Sequence, residues 1–245
     1  MYRGLEITPP FFEIGPKAYL YGDQVLALAR KADAMGLKYS VQIIFTPQYV
    51  DIPLVAHEMK SVLVFAQHMD DLPIGRGIGS VLPEAVKAAG AAGVLLNHAE
   101  KKLSRDVLQR TLQRADEVGL ATMVCADNLE EAVAIARLRP NIIIAEAPEL
   151  IGVGKRGDND RDVISRINQA VWAIDPAILV LHGAGISSGQ DVYDIIAAGA
   201  QGTGSTSGII KARDPLAMVE EMIRSVRAAW DATHEIRRSN NVGLP

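Results

Sequence analysis

The chain has 245 residues, of which 49% are hydrophobic, 22% charged and 5% aromatic, with a formal net charge of −4. That balance supplies ample apolar material for a folded core and excludes a disordered chain. The mildly acidic charge, with no basic stripe and no interleaved aromatics, excludes the footprint of a nucleic-acid binder. The opening "MYRGLEITPP" lacks the apolar core of a signal peptide, and no run of about 18 apolar residues is present to span a bilayer, so a cytoplasmic location is expected. The one cysteine, Cys125, cannot form an internal disulfide, and its apolar neighbours in "ATMVCAD" suit a buried strand position in a reducing compartment.

Short apolar runs rich in Val, Ile and Leu alternate along the chain with segments of helical period. In order they are "FFEIG", "SVQIIFTP", "SVLVFAQ", "AGVLLNHA", "ATMVCAD", "NIIIAEAP", "AILVLHGA" and a weaker "GTGSTSG". Runs that are apolar throughout, rather than alternating, suit strands covered on both faces, as in parallel sheets. Between them, Ser104 to Val118 carries Val107, Leu108, Thr111, Leu112, Ala115 and Val118 on one helical stripe and closes at Gly119, a helix C-cap. "NLEEAVAIARLRP" opens with Asn128 as a cap and Glu131 three residues on, and stops at Pro140. Asp214-Pro215 opens the last long helix. Trp172, Met218, Met222 and Trp230 fall at helical positions that suit core or interface packing.

No linker rich in Gly, Ser or Pro divides the chain. One domain over residues 1–245 is expected, with residues 1–10 as an N-terminal extension. Eight βα units in this length match a closed α/β barrel, the single-domain (β/α)₈ or TIM-barrel architecture. A doubly wound open sheet is the alternative, but its G-x-G-x-x-G signal after the first strand is absent.

In a barrel, function belongs at the carboxyl ends of the strands. There stand Lys17 after strand one, Gln67 and His68 after strand three, Asn97, His98 and Glu100 after strand four, and Glu146 after strand six. A lysine, a histidine and a glutamate converging on one pocket supply a positive charge, a hydrogen-bond donor and a general base, the set that moves a proton beside a carbonyl. Glu146 ends an otherwise apolar run, where a charge is costly unless paired or used; Glu149 is the competing carboxylate nearby. His57, His68, His182 and His234 show no metal-ligand spacing and read as structural or surface residues.

Strand seven runs into "HGAGIS" and strand eight into "GTGSTSG", both followed by helical segments. Glycine-rich turns that aim backbone N–H groups from a helix start bind phosphate without a basic side chain, and barrels commonly do so after strands seven and eight. After Glu146 lies "APELIGVGKRGDND", with Gly152 and Gly154 flanking Val153, so residues 147–160 are expected to form a lid loop.

"FAQHMDDLPIGRGIGSVLPEAVKAAGAAGVLLNHAEKKL", "EVGLATMVC", "AEAPELIGVGK" and "HGAGISSGQDV…GAQGTGSTSGIIKARDP" resemble triosephosphate isomerase, in its shorter archaeal-type branch. The resemblance runs from about Ser61 to about Pro215. It implies an aldose–ketose isomerase with Glu146 as the base, His98 as the electrophile that polarises the carbonyl and Lys17 as the charge stabiliser. Glu100 would support the lysine, and Asn97 is a second supporting residue. Gly152, Gly154, Gly185, Ser187, Ser207 and Gly208 would form the phosphate cradle. It implies no metal and no organic cofactor, a small phosphorylated sugar as substrate, a place in glycolysis and gluconeogenesis, and a homodimer or homotetramer.

The chain departs from the family's pattern at four places near the site. Gly15-Pro16-Lys17 replaces Asn-x-Lys; Ala99 replaces a serine, Ala147 a proline, and Ile78 a threonine that reaches across the dimer interface. The segment "RGLEITPP" has no counterpart in the resemblance. Glyceraldehyde 3-phosphate and dihydroxyacetone phosphate are the family's substrates. Gly15 removes volume and an amide where substrate hydroxyls lie, which leaves a four-carbon ketose phosphate such as an erythrulose phosphate as an alternative. A non-catalytic phospho-sugar binder is the other.

Overall fold

Residues 1–146 and 160–241 are described by the structure, a computed structural model. Each apolar run becomes a short strand: β1 (Phe11–Ile14), β2 (Gln42–Phe45), β3 (Leu63–Ala66), β4 (Gly93–Leu96), β5 (Ala121–Ala126), β6 (Ile142–Ala145), β7 (Leu179–His182) and β8 (Gly202–Gly204). Successive strands pair in parallel. β8 pairs back onto β1 through Phe11↔Gly202, Phe12↔Thr203 and Glu13↔Gly204, so the sheet closes into a barrel. Closure removes the open-sheet alternative. Around the strands run α1 (Asp23–Tyr39), α2 (Ile52–Glu58), α3 (Pro83–Ala88), α4 (Arg105–Val118), α5 (Leu129–Ala136), α6 (Asp160–Trp172) and α7 (Gly189–Ala197), then a single turn, α8 (Ser207–Ile210), and the long α9 (Pro215–Asn241). Among the described residues no helix is long and apolar enough to cross a membrane.

The caps form for the reasons the sequence supplies. Ser104 Oγ accepts the N–H of Val107 at 3.4 Å, and Gly119 closes α4 at φ 76. Leu108, Thr111, Leu112 and Ala115 are the buried centre of its stripe, with Val107 and Val118 half-buried at the edges. Asn128 Oδ1 accepts the N–H of Glu131 at 2.9 Å, and Asp214 Oδ1 accepts those of Leu216 and Ala217. α5 stops at Ala136 instead of running to Pro140, because the chain turns through Arg139 at φ 56. The loop expected over 147–160 lies outside the described residues except for Asp160, which already belongs to α6.

Strand parity divides the core in two. Phe12 and Ile14 face outward into the shell between strands and helices, where Met222 is fully buried and Trp172, Met218 and Trp230 pack at the margin. Phe11 points inward with Ile44, Phe65, Met123, Cys125, Ile142, Ile144 and Leu181. The Phe11 ring occupies the space where a side chain at position 202 would stand, so β8 carries glycine there. The segment before β1 covers the lower end of this interior: Tyr2, Leu5 and Ile7 pack against the inward cluster. Asn141 Nδ2 donates to the Tyr2 carbonyl at 2.7 Å, and the Thr8 N–H donates to Gln42 Oε1 at 3.0 Å. "RGLEITPP" is therefore part of a plug at the base of the barrel.

Candidate active site

The carboxyl ends of the strands surround a cavity of about 420 Å³, lined among others by Lys17, His98, Glu100 and Glu146. His98 stands at the start of a short 3₁₀ turn, and its Nδ1 accepts the N–H of Glu100 at 3.1 Å. A ring nitrogen that accepts carries no proton, so in the neutral imidazole the proton sits on Nε2. That nitrogen faces Glu146 Oε2 at 3.8 Å. Burial, then the nearby Lys17 charge, holds the His98 pKa below its ordinary 6.5, which keeps the ring neutral and Nε2 a donor. Glu146 is fixed through its backbone N–H, which donates to the Ala126 carbonyl at 2.9 Å. Gly183 gives its side chain room, since a Cβ there would stand 2.7 Å from Glu146 Oε1.

Lys17 completes the group. Its Nζ lies 2.6 Å from Glu100 Oε1, and that bond holds the Glu100 carboxyl below the usual range. Its backbone is left-handed at φ 48, an uncommon conformation for a residue with a side chain. Two amides over-determine it: Gln48 Nε2 and Gln67 Nε2 both donate to the Lys17 carbonyl, at 3.0 and 3.1 Å. Asn97, at φ 60, stays out of the cavity. Its Nδ2 donates to the Cys125 carbonyl and to Glu131 Oε1, each at 2.9 Å, while its Oδ1 accepts the Leu103 N–H at 3.0 Å. It thereby anchors the turn that presents His98.

The glycine-rich turns after β7 and β8 meet on the opposite wall. Gly183, Gly185, Ser205, Thr206 and Ser207 line the cavity, and Ala184 and Gly185 are both left-handed, at φ 64 and 68. Ser205 Oγ donates to the Ile186 carbonyl at 3.1 Å and ties the two turns together. Gly208 lies behind this wall, against the Ile186 carbonyl and Ser205 Oγ, where a Cβ has no space. Ser187 also lies behind it, with N–H and O–H both directed to Asp191 Oδ2, at 2.8 and 3.0 Å. Gly152, Gly154, Ala147 and Glu149 fall outside the described residues.

One inward-facing residue escaped the sequence reading. Glu13 lines the floor of the cavity, and Thr46 Oγ1 donates to its Oε1 at 2.8 Å. Burial, opposed by the Thr46 bond and reinforced by Glu146, pushes its pKa from 4.5 up to about 7. A lone charge inside "FFEIG" two residues after an inward Phe was the available signal. Of the histidines read as structural or surface residues, His68 lines the cavity with its Nε2 paired to Asp70 Oδ1 at 3.1 Å, His182 Nε2 pairs with Asn168 Oδ1 at 2.9 Å, and His234 stacks on Trp230. His57 is exposed. Cys125 is buried beneath the floor, and burial raises its thiol pKa well above the ordinary value.

A family model described as triosephosphate isomerase matches residues 14–222. The chain is 36% identical over 220 residues to a triosephosphate isomerase of Methanobacterium bryantii, covering 89% of this chain and 97% of the relative. It is 36% identical over 226 residues to that of Saccharolobus solfataricus, covering 91% and 99%, and 38% identical over 220 residues to that of Methanosarcina barkeri, covering 89% and 99%. A closed eight-stranded barrel, a match over most of its length and relatives alike from end to end leave one conclusion: the chain belongs to the triosephosphate isomerase family.

Proposed function

We propose that this cavity isomerises a small phosphorylated sugar, interconverting glyceraldehyde 3-phosphate and dihydroxyacetone phosphate through an enediolate. The observation that carries the reading is the approach of His98 Nε2 to Glu146 Oε2 at 3.8 Å, with Lys17 charged beside them. Glu146 takes the proton from the carbon beside the carbonyl while the His98 N–H stabilises the oxygen that gains negative charge. The proton then returns from Glu146 to the neighbouring carbon, and the hydroxyl proton moves between the two oxygens through His98. A carboxylate base working with a neutral imidazole is the division of labour for which triosephosphate isomerase is itself the standard example. Lys17, held by Glu100, offsets the enediolate charge.

Backbone N–H groups of Gly185 and Ser207 take the phosphate. Ser187 and Gly208 shape their turns, and Gly152 and Gly154 are assigned to the same phosphate site. Support comes from the left-handed pair Ala184 and Gly185 and from the Ser205 tie between the two turns. Glu146→Gln should lower turnover by roughly 10³-fold or more with an unchanged circular dichroism spectrum. Near-normal isomerisation by that variant defeats the assignment. Tight binding of 2-phosphoglycolate without turnover of any triose or tetrose phosphate by the native chain would leave a binder instead.

The native assembly is read as a homodimer or homotetramer. The apolar Ile74 and Ile78, 73% and 108% exposed, support this reading. A monomeric mass by light scattering at micromolar concentration refutes it. The lone buried thiol of Cys125 supports a reducing, cytoplasmic setting.

A further inference from the structure

The turn that carries His98 is gripped on both sides by one carboxylate, from a helix outside the cavity. Ahead of His98, Asn97 is 2% exposed, and its Nδ2 donates to Glu131 Oε1 at 2.9 Å. Beyond His98, Lys102 Nζ donates to both oxygens of the same carboxylate, at 3.1 and 3.2 Å. The Asp127 N–H donates to Glu131 Oε2 at 2.7 Å, and Lys102 also pairs with Asp127 Oδ2 at 2.7 Å. A carboxylate offers about four acceptor positions, and four hydrogen bonds fill them here.

Glu131 stands three residues after the cap Asn128, where a capping-box glutamate would turn back to the cap's own N–H. Instead it accepts the N–H one residue earlier, and its Oε1 crosses to the end of β4. Burial works against its charge, but the Asp127 N–H, the Asn97 amide and Lys102 outweigh it and hold the carboxyl below the ordinary range. A half-exposed ion pair with Lys102 would by itself add little stability. What sets Glu131 apart is that the same oxygen takes a buried amide, so its removal loosens the turn before and after His98 together.

Neither Glu131 nor its three partners line the cavity, so the carboxylate does not meet a ligand there. It acts on where the imidazole stands. Two contacts depend on that pose: Nδ1 accepting the Glu100 N–H at 3.1 Å, and Nε2 facing Glu146 Oε2 at 3.8 Å. Resting on the isomerase reading above, we propose that Glu131 is a positioning residue for the reaction, which fixes the place and the Nε2–H tautomer of His98 by holding the residues on both sides of it. The proton transfers are unchanged, and Glu131 exchanges no proton with substrate. A displacement of about 1 Å at a reacting group costs on the order of 10²-fold in rate, so a loosened turn is felt in turnover before binding.

The test measures kcat and KM on dihydroxyacetone phosphate and glyceraldehyde 3-phosphate for the native chain, Glu131→Ala, Glu131→Gln, His98→Gln and His98→Gln with Glu131→Ala. Glu131→Ala should lower kcat by about 10- to 100-fold while KM changes less than about threefold. Glu131→Gln keeps the volume and an acceptor oxygen and should recover part of that loss. In the His98→Gln background Glu131→Ala should cost less than about twofold, because its effect passes through the imidazole. Ring ¹⁵N shifts should show a single neutral Nε2–H tautomer in the native chain and a mixture in Glu131→Ala. If Glu131→Ala does not fold by circular dichroism, Lys102→Met cuts the same grip from its other end and should show the same kcat loss and tautomer mixture. Unchanged kcat, losses that multiply in the double variant, or an unaltered tautomer in the folded variant overturns the proposal and leaves the isomerase intact. Absence of turnover by the native chain overturns the isomerase reading instead, and the ¹⁵N spectra then decide on their own whether Glu131 holds His98.

Discussion

Glu13→Gln should flatten the pH dependence of stability between pH 4.5 and about 7. Folding raises this carboxyl's pKa from the ordinary 4.5 to about 7, chiefly because burial disfavours the ionised form. Below pH 4.5 the group is neutral folded or unfolded and costs nothing. As pH rises through the window, the unfolded chain ionises freely while the folded chain holds the proton, so stability falls until both forms are ionised above pH 7. At about 1.36 kcal/mol per pH unit the rise corresponds to about 3 kcal/mol, and water in the cavity screens part of it, leaving about 1–3 kcal/mol. Urea denaturation midpoints of the native chain and Glu13→Gln, taken at half-unit steps from pH 4.5 to 8.5, isolate this group from the others that titrate. The native chain should lose stability relative to the variant as pH rises. Parallel curves, or a native chain that gains on the variant, refute a buried, proton-retaining Glu13.

Lys17→Ala should raise the pKa of His98, since the Lys17 charge is the second cause holding it down; NMR titration of the imidazole reads this, and a fall would contradict the geometry. Asp33 accepts the N–H and O–H of Ser61, at 2.9 and 2.6 Å, and the Lys60 N–H at 3.2 Å, so Asp33→Ala should cost about 1–3 kcal/mol in urea denaturation by orphaning the entry to β3. Gly208→Ala should raise KM more than it lowers kcat, because its Cβ pushes the Ile186 carbonyl and shifts the phosphate turns; an unchanged KM would separate those turns from substrate binding.

The barrel was legible because seven of its eight strands lie in short runs that, Glu13 apart, are largely apolar on both faces and alternate with helical segments, a pattern that suits a covered parallel sheet, while β8 with its Gly-Thr-Gly was legible only from its place in that order. Lys17, His98 and Glu146 were legible because each is polar at the end of such a run. Glu13 was not, because it lies inside a run. Its significance depends on which way β1 faces and on which residue β2 sets opposite, and both are settled only by register: Glu13 pairs with Ile44, and Thr46 follows just beyond the end of β2. The tie of Ser187 to Asp191 was hidden for a related reason. A serine in a glycine-rich turn reads equally as a phosphate donor or as part of a helix start, and here the capping box of Ser188 and Asp191 pulls its neighbour in. α5 read too long because Pro140 marks a limit, whereas the turn at Arg139 sets the actual end.

The packed interior of Phe11, Ile44, Phe65, Met123, Ile142 and Leu181, backed from below by Tyr2, Leu5 and Ile7, makes the barrel a cup and not a pipe. A sugar phosphate entering it cannot push water ahead and out of the far side; each molecule displaced from beside Glu13 has to leave past the incoming ligand, through the rim where Lys17 and Glu146 stand. Filling and emptying then share one doorway. The ease with which product departs becomes a property of that rim, because the packed interior below Glu13 keeps the other end shut.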